Sequence, residues 1–251
     1  IRSYAAAFIS GTPFIQLKVN DPCYEFGVTR LLFLGSSCRY PKLCPQPIRE
    51  EYLLTGSLEV TNRPYAVAKI AGIEQCWAYN RQYCTRFLAA MPTNLYGPGD
   101  NFDLKNSHVL PALLRKVAQA RENNAKQVSV WGTGTPRREF LYSDDLAEAC
   151  VFLLQLPVDQ FSTLLREDLP PLINIGVGED VTIRELAELI CRLLDYNGEL
   201  VFDSTQPDGT PRKLLDVSRM RALGWKPHVS LEEGIRRTYA AMKETLISAV
   251  S

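Results

Sequence analysis

The sequence contains few of the residues that build metal centres and disulfide frameworks. Only two histidines occur among 251 residues, His108 and His228, which excludes a histidine-rich metal site. The seven cysteines are odd in number and scattered, and none forms a Cys-x-x-Cys pair. This usage is typical of reduced thiols in the cytosol. We therefore expect a cytoplasmic protein that holds no metal.

Net charge and long apolar runs are also absent. Lys plus Arg and Asp plus Glu number 28 each, so no overall field favours nucleic acid or an anionic membrane. No run approaches the roughly 18 apolar residues of a membrane helix, and the N-terminal residues lack a signal-peptide layout. These absences predict no nucleic-acid partner and no membrane segment. The chain is long enough to bury a core as one large domain or two small ones.

A glycine-rich dinucleotide loop is missing as well. Dinucleotide-binding folds normally open with a strand, a Gly-x-Gly-x-x-Gly turn and a helix whose backbone amides hold the pyrophosphate. The pairs at Gly97 and Gly99, at Gly132 and Gly134, and at 176 and 178 all lack the third glycine, and none opens the chain. No pyrophosphate-binding loop is recognisable in this sequence.

Short apolar runs alternate with helical patterns along the chain. The predicted strands are 31–34, 86–91, 127–131, 172–175 and 200–203, and the predicted helices are 64–83, 108–121, 144–156, 183–194 and 231–245. This alternation predicts an α/β fold with a parallel sheet, in which 31–34 is a strand buried on both faces. The prolines in 40–59 indicate an extended loop, and Pro22 predicts an interruption of any helix in 1–28.

The most informative pattern joins a strand to a helix. The run Leu31 to Leu34 ends in a small-residue turn that carries Ser36, and the following helix presents Tyr65 and Lys69 four residues apart on one face. An ammonium beside a phenol favours the phenolate, and a hydroxyl from the strand end can hydrogen-bond the same reacting oxygen. This combination predicts proton transfer to a carbonyl or from an alcohol.

The spacing alone has little weight, because it recurs at Tyr239 and Lys243 with no strand and serine before it. Tyr65 and Lys69 taken alone fit an ordinary amphipathic helix equally well. Trp131 taken alone is interpreted as a core residue. Six cysteines are interpreted as structural thiols without a catalytic role: Cys23, Cys44, Cys76, Cys84, Cys150 and Cys191.

Seven segments together resemble one family, the GDP-L-fucose synthases, which are extended short-chain dehydrogenases/reductases acting on nucleotide sugars. The matching segments are 31–38, 65–69, 91–98, 106–109, 131–132, 137–140 and 207–213, and the likeness runs in order from about Phe26 to Tyr239. The resemblance implies a Rossmann-like parallel sheet lacking its N-terminal βαβ units, with a smaller C-terminal substrate-binding α/β domain. Residues 1–100 with 140–178 would form the remnant NADP-binding domain, and 101–139 with 179–251 the nucleotide-sugar-binding domain.

The resemblance implies a reaction in two stages. GDP-4-keto-6-deoxy-D-mannose is epimerised at C3 and C5, and NADPH then reduces the 4-keto group to give GDP-L-fucose. Cys38 and His108 match the family's base and acid, which act on opposite faces of the sugar ring. Tyr65 would protonate the C4 oxygen as hydride arrives, supported by Lys69 and Ser36.

The binding residues also come from the resemblance. The nicotinamide end of NADP(H) would be lined by Leu34, Gly35, Ser36, Ser37, Lys69, Pro92, Thr93, Asn94, Leu95 and His108. The GDP-sugar would be surrounded by Lys116, Trp131, Arg138, Asp208 and Lys213, with Arg212 as the alternative to Lys213. Arg and Lys suit a diphosphate, and a tryptophan offers a flat apolar wall. The family also implies a homodimer.

The sequence departs from the family at several positions and leaves alternatives open. Arg39 replaces an apolar residue beside Cys38, Lys116 replaces an arginine, Tyr142 replaces a histidine and Cys84 replaces a glycine. A non-catalytic nucleotide-sugar binder or dimerisation partner is the alternative from another class. A related GDP-sugar epimerase or dehydratase is the second enzyme alternative, and Cys38 and His108 argue against the dehydratases.

Overall fold

A computed structural model of the chain describes residues 5–104 and 106–248. Its helices are α1 Ala5–Glu25, α2 Arg63–Tyr83, α3 Val109–Glu122, α4 Ser143–Gln155, α5 Val158–Ser162, α6 Ile183–Leu193, α7 Ser218–Ala222 and α8 Leu231–Ser248. Its strands are β1 Arg30–Leu34, β2 Arg86–Pro92, β3 Asn94–Tyr96, β4 Gln127–Trp131, β5 Arg137–Arg138, β6 Phe140–Tyr142, β7 Leu172–Ile175, β8 Val181–Thr182, β9 Glu199–Asp203 and β10 Arg212–Lys213. The predicted α/β class is confirmed.

The chain divides into two compact units. The first comprises 1–93, 146–178 and 215–226, and the second comprises 94–145, 179–214 and 227–251. These bounds differ from the predicted domains at 94–100, at 140–145 and at 215–226. The assignment of a cofactor to one domain and a substrate to the other stays a prediction. Residues 1–4, 105 and 249–251 of those domains lie outside the described residues.

The sheet of the first unit is parallel in the order β1-β2-β7. Leu34 pairs with Ala90, and Pro92 pairs with Ile175, so the carboxyl ends of all three strands meet at one edge. Strand β2 is almost wholly buried, because it is central and apolar. The prediction for β1 was wrong in one respect: it is only half-buried, since among the described strands it has a neighbour on one side alone.

The prediction that Pro22 interrupts the first helix was wrong. Helix α1 continues through Pro13 and Pro22 to Glu25, although each proline removes a backbone donor. Its packing against α2 supplies the missing stability. Buried Gln16 lies against Gly72, where any Cβ would collide with its amide, and Tyr24 stacks on Tyr83 with 4.0 Å between the ring centroids. Tertiary contacts therefore outweigh the local cost.

The predicted loop 40–59 is confirmed as irregular apart from one short 3-10 turn, Glu50–Tyr52. A buried asparagine fixes it against the sheet. Asn174 accepts a hydrogen bond from the Tyr40 hydroxyl at 2.6 Å and donates to the Ile48 carbonyl at 2.9 Å. Burial, with Glu50 nearby, raises the pKa of Tyr40 well above its usual value, so this hydroxyl stays a donor.

The second unit has its own apolar core, in which α3, α6 and α8 contribute buried faces. Strands β4 and β9 pair in parallel, with Trp131 opposite Asp203. Helix α6 begins with a capping box: the Thr182 hydroxyl accepts from the Glu185 amide, and the Glu185 carboxylate accepts from the Thr182 amide. No helix in the described ranges is long and apolar enough to cross a membrane.

Helix α2 ends at an unusual residue. Cys84 adopts the left-handed conformation at its C-cap, with φ of 55°. A side chain in this conformation costs roughly 1–2 kcal/mol, which glycine avoids. A cysteine at this position therefore leaves strain at the end of the helix.

We expect Cys84→Gly to raise the free energy of unfolding by about 1 kcal/mol, because glycine adopts this backbone without strain. The matched control is Ala78→Gly at an exposed position inside the same helix, which should lower it by about 1 kcal/mol. Urea denaturation of both variants measures the difference. Equal destabilisation by the two glycines would contradict this account of the helix end.

Candidate active site

Tyr65 and Lys69 lie in the first two turns of α2, and both are half-buried. The Lys69 ammonium donates a hydrogen bond to the Leu34 carbonyl at 2.8 Å and lies 4.8 Å from the Phe33 ring centroid. The predicted helix is thereby joined to the carboxyl end of β1. Burial, followed by repulsion from Arg39, lowers the pKa of Lys69.

Ser36 and Cys38 occupy the turn that follows β1. The Ser36 hydroxyl accepts a hydrogen bond from the Cys38 amide at 3.4 Å and caps the short 3-10 helix Ser37–Arg39. Its O–H is left as a donor, as the predicted role of Ser36 requires. The guanidinium of Arg39 lies 4.4 Å from the Tyr65 ring centroid and interacts electrostatically with Cys38. The four predicted catalytic residues of the first unit therefore form one cluster.

The predicted nicotinamide-binding residues of this unit follow the ends of β1 and β2. Gly35 donates its amide to the Ala90 carbonyl at 2.7 Å, and a Cβ at this position would collide with the Met91 sulfur. Thr93 donates to the Ile175 carbonyl at 3.1 Å, which fixes the end of β2. In open α/β sheets, ligands bind outside the carboxyl ends of the strands. Leu34 is 45% exposed at this edge, so the residues present fit a nicotinamide ring.

Asn94 and Leu95 belong to the second unit, where they form β3 and pair with β6. Asn94 donates its side-chain amide to the Glu139 carbonyl at 2.8 Å. His108 is exposed and stands at the N-cap of α3, but its side chain makes no capping bond. The imidazole is therefore not committed to holding the helix.

Lys116 and Trp131 share a cavity of about 190 Å³ in the second unit. The Lys116 ammonium lies 5.3 Å from the Trp131 ring centroid and donates to the Ser129 carbonyl at 3.1 Å. Trp131 is 60% exposed, so the interpretation of this residue as core was wrong. Its position at the end of β4 turns an indole face outward because the strand alternates exposed and buried side chains.

Arg138 and Lys213 are brought together by a three-stranded sheet, in which β10 pairs in parallel with β5 and Lys213 stands opposite Arg138. The preceding pair, Arg137 and Arg212, lies on the other face because side chains alternate along strands. Both of its guanidinium groups bind the nearly buried Asp180 carboxylate, at 2.7 and 2.5 Å. Arg212 is thus bound to Asp180, and the role of Lys213 toward a substrate stays a prediction.

Asp208 closes the turn at Gly132. One carboxylate oxygen accepts from the Thr133 amide at 2.7 Å, and the other accepts from the Thr133 hydroxyl at 2.9 Å. Gly132 has a φ of 81° and no room for a Cβ beside this carboxylate, which accounts for the glycine. Asp208 thus has a structural role in the loop, and its role toward a sugar hydroxyl stays a prediction.

Two residues that lie beside predicted site residues of their own units were given no role by sequence reasoning. Asp100 is partly buried, which raises the pKa of its carboxyl, while a hydrogen bond from the Asn101 amide and the nearby His108 oppose that rise. Arg39 was noticed only as a departure from the family. Its position next to Cys38 was a signal in the sequence, but the contact with Tyr65 was not visible there. No group of three or more metal-ligating side chains occurs within the described ranges.

The geometry defines a class of protein: an α/β reductase or epimerase of the short-chain type, with Ser36, Tyr65 and Lys69 at the carboxyl edge of a parallel sheet. The model of the NAD dependent epimerase/dehydratase family matches residues 3–176. GDP-L-fucose synthase 1 of Arabidopsis thaliana is 55% identical over 94% of this chain and 70% of its own length. The Escherichia coli GDP-L-fucose synthase is 52% identical over 94% of this chain and 74% of its length. The chain belongs to the GDP-L-fucose synthase family.

Solved structures agree with this assignment. A GDP-6-OMe-4-keto-L-xylo-heptose reductase from C. jejuni superposes with a TM-score of 0.88 at 36% identity, covering 97% of this chain and 78% of that one. A GDP-L-fucose synthetase from Naegleria fowleri bound to NADP superposes with a TM-score of 0.85 at 28% identity, covering 98% of this chain and 75% of that one. The Rossmann-like fold is therefore established.

Asp180 makes the second unit sensitive to acid. Burial alone would raise the pKa of its carboxyl, but hydrogen bonds from Arg212 and Arg137 hold that pKa below its usual range. A depressed native pKa stabilises the fold above the unfolded value of about 3.9, and this stabilisation is lost as pH falls through the native value. We expect Asp180→Asn to cost about 2 kcal/mol at pH 7 and progressively less as the pH falls below about 4.

The matched control is Asp168→Asn, which removes an exposed carboxylate paired with Arg166. Such pairs contribute about 0–1 kcal/mol, so this variant should unfold almost as the parent does. Urea denaturation across the pH range compares the two. A cost at Asp180 that is independent of pH would refute the assignment of this stabilisation to the charged carboxylate.

Proposed function

We propose that this chain acts as a GDP-L-fucose synthase, epimerising GDP-4-keto-6-deoxy-D-mannose at C3 and C5 and reducing C4 with NADPH. The observation that carries the proposal is the cluster of Ser36, Tyr65 and Lys69 at the carboxyl edge of the sheet. Membership of the family supplies the substrate class. The NADP-bound Naegleria structure supports NADP(H) as the cofactor.

Bound NADPH would supply hydride to C4 of the sugar. Leu34, Gly35, Ser37, Pro92 and Thr93 would line its nicotinamide end, and the Lys69 ammonium would hold its ribose. The structure supports this set through the exposed edge of the sheet at Leu34. Asn94, Leu95 and His108 complete the proposed set.

The proton for reduction comes from Tyr65 in this proposal. Its hydroxyl protonates the developing C4 alkoxide, while Ser36 donates a hydrogen bond to the same oxygen. The Lys69 ammonium favours the phenolate that is left behind. Its hydrogen bond to the Leu34 carbonyl holds the ammonium at the strand end while the proton moves.

Epimerisation requires a base and an acid on opposite ring faces, and we assign these roles to Cys38 and His108. A thiol acts as a base only through its thiolate, which requires a positive environment. The half-buried Cys38 has such an environment next to Arg39. His108 is exposed and its side chain makes no capping hydrogen bond to α3, so we propose its imidazole for the proton transfer.

The GDP-sugar would be held by the second unit. Arg138 and Lys213 place two cations side by side, which suits the diphosphate. Trp131 and Lys116 form a cavity with a flat apolar wall, which suits the guanine or sugar ring. Asp208 would bind a hydroxyl group in addition to closing its turn. Each of these roles is part of the proposal.

The test is turnover by the purified chain. We expect NADPH oxidation, followed at 340 nm, to depend on added GDP-4-keto-6-deoxy-D-mannose, and chromatography to identify GDP-L-fucose as the product. Tyr65→Phe should reduce the rate at least 100-fold, because it removes the proton donor and leaves the ring in place. Binding of the GDP-sugar without NADPH oxidation would instead favour the non-catalytic binder.

We also propose that the protein is a cytoplasmic homodimer. None of the seven cysteines, all of which lie within the described ranges, forms a disulfide, which is consistent with a reducing compartment. Helix α1 leaves large apolar side chains exposed, including Phe14 at 61% and Ile15 at 66%, which supports burial against a second copy. Sedimentation should show a dimer that Ile15→Glu converts to a monomer. An unchanged dimer in Ile15→Glu would exclude this face.

A further inference from the structure

Arg39 is a charged side chain in an unusual place. It is 0% exposed and is the largest fully buried side chain of the described residues. Among those residues, no acceptor meets ordinary hydrogen-bond geometry with its Nε, Nη1 or Nη2 atoms. An unpaired buried charge costs several kcal/mol, and arginine does not lose its proton in proteins. The fold therefore maintains a positive charge here without neutralising it.

The groups around this charge are the proposed catalytic ones. The Tyr65 ring from α2 lies 4.4 Å from the guanidinium, and the Cys38 thiol is on the preceding residue. The Lys69 ammonium from α2 is near enough to be repelled. Farther along, Glu50 and Arg219 face Tyr40, whose hydroxyl bonds Asn174.

Burial lowers the pKa of Arg39, and the Tyr65 phenol and Cys38 thiol partly offset this effect. Any anion formed on these neighbours is therefore stabilised by the same charge. Tyr65 already has Lys69 beside it in the helix. Cys38 directly precedes Arg39 in the same turn, so a thiolate at Cys38 would also be stabilised by the guanidinium.

We propose that Arg39 is a positioning residue that favours the thiolate of Cys38 and holds the Tyr65 ring by stacking. This inference deepens the proposed function and rests on it for the role of Cys38 as a base. The guanidinium need not touch the sugar. It acts through the thiol, which attacks the proton at C3 or C5 only after its own proton has left.

The test measures the thiolate directly. Cys38 is alkylated with iodoacetamide between pH 5 and 10, and the rate at each cysteine is read by peptide-resolved mass spectrometry. The parent is compared with Arg39→Met, which removes the charge, and with Arg39→Lys, which keeps it. Removal of the charge should raise the midpoint of the pH dependence of the Cys38 alkylation rate by about one pH unit. The reaction at neutral pH would then be roughly tenfold slower.

The same digests contain matched controls. Cys84 is exposed at the far end of α2, so its profile should be the same in all three proteins. Cys76 is 0% exposed and should stay unreacted, which verifies that each variant is folded. The Cys38 midpoint in Arg39→Lys should lie close to that of the parent, because the charge is kept. If Arg39 acted only through packing, the Cys38 midpoint would be the same in the two variants.

The inference is overturned if the Cys38 midpoint is the same in the parent and in folded Arg39→Met. Reaction at Cys76 in Arg39→Met would show that this variant is unfolded, and the comparison of Arg39→Lys with the parent then decides. An upward shift of the Cys38 midpoint by a full pH unit in folded Arg39→Lys also overturns the inference. The readout needs no turnover. A shift at Cys38 in a protein that does not oxidise NADPH would therefore separate failure of the proposed function from failure of this inference.

Discussion

The hydrogen bond from the Lys69 ammonium to the Leu34 carbonyl is the interaction on which the candidate catalytic cluster depends. It joins the helix that carries Tyr65 to the end of the strand that precedes Ser36 and Cys38. The same ammonium lies 4.8 Å from the Phe33 ring centroid, which adds a second contact between the helix and the strand. Without it, the phenol and the turn would be held only by separate elements of the fold.

The cationic side chains of the two units differ in their partners. In the second unit, Asp180 neutralises Arg137 and Arg212, while their sequence neighbours Arg138 and Lys213 lie on the opposite face. In the first unit, Arg39 is buried beside Tyr65 with no carboxylate of the described residues bonded to it. A paired cation stabilises the fold, whereas an unpaired one stabilises whichever anion forms next to it.

Much of the architecture was predictable from local patterns. The capping box at Thr182, the buried strand at 172–175 and the Tyr-Lys helix all follow from short-range chemistry, and the structure has them. The helix through Pro22 was not predictable, because its stability comes from contacts with α2 that are distant in sequence. The burial of Trp131 was predicted wrongly for a related reason, since residue type alone does not show which face of a strand is exposed.

The sequence by itself determined the family, the identity of the candidate catalytic residues and the alternation of strands and helices, because these depend on residue type and short spacing. Tertiary structure decided which of two adjacent cations binds Asp180, since register placed Arg212 on that carboxylate and Lys213 opposite Arg138. Tertiary structure also decided that the Arg39 guanidinium packs against the Tyr65 ring. Such proximities arise from packing between elements, and no local pattern encodes them.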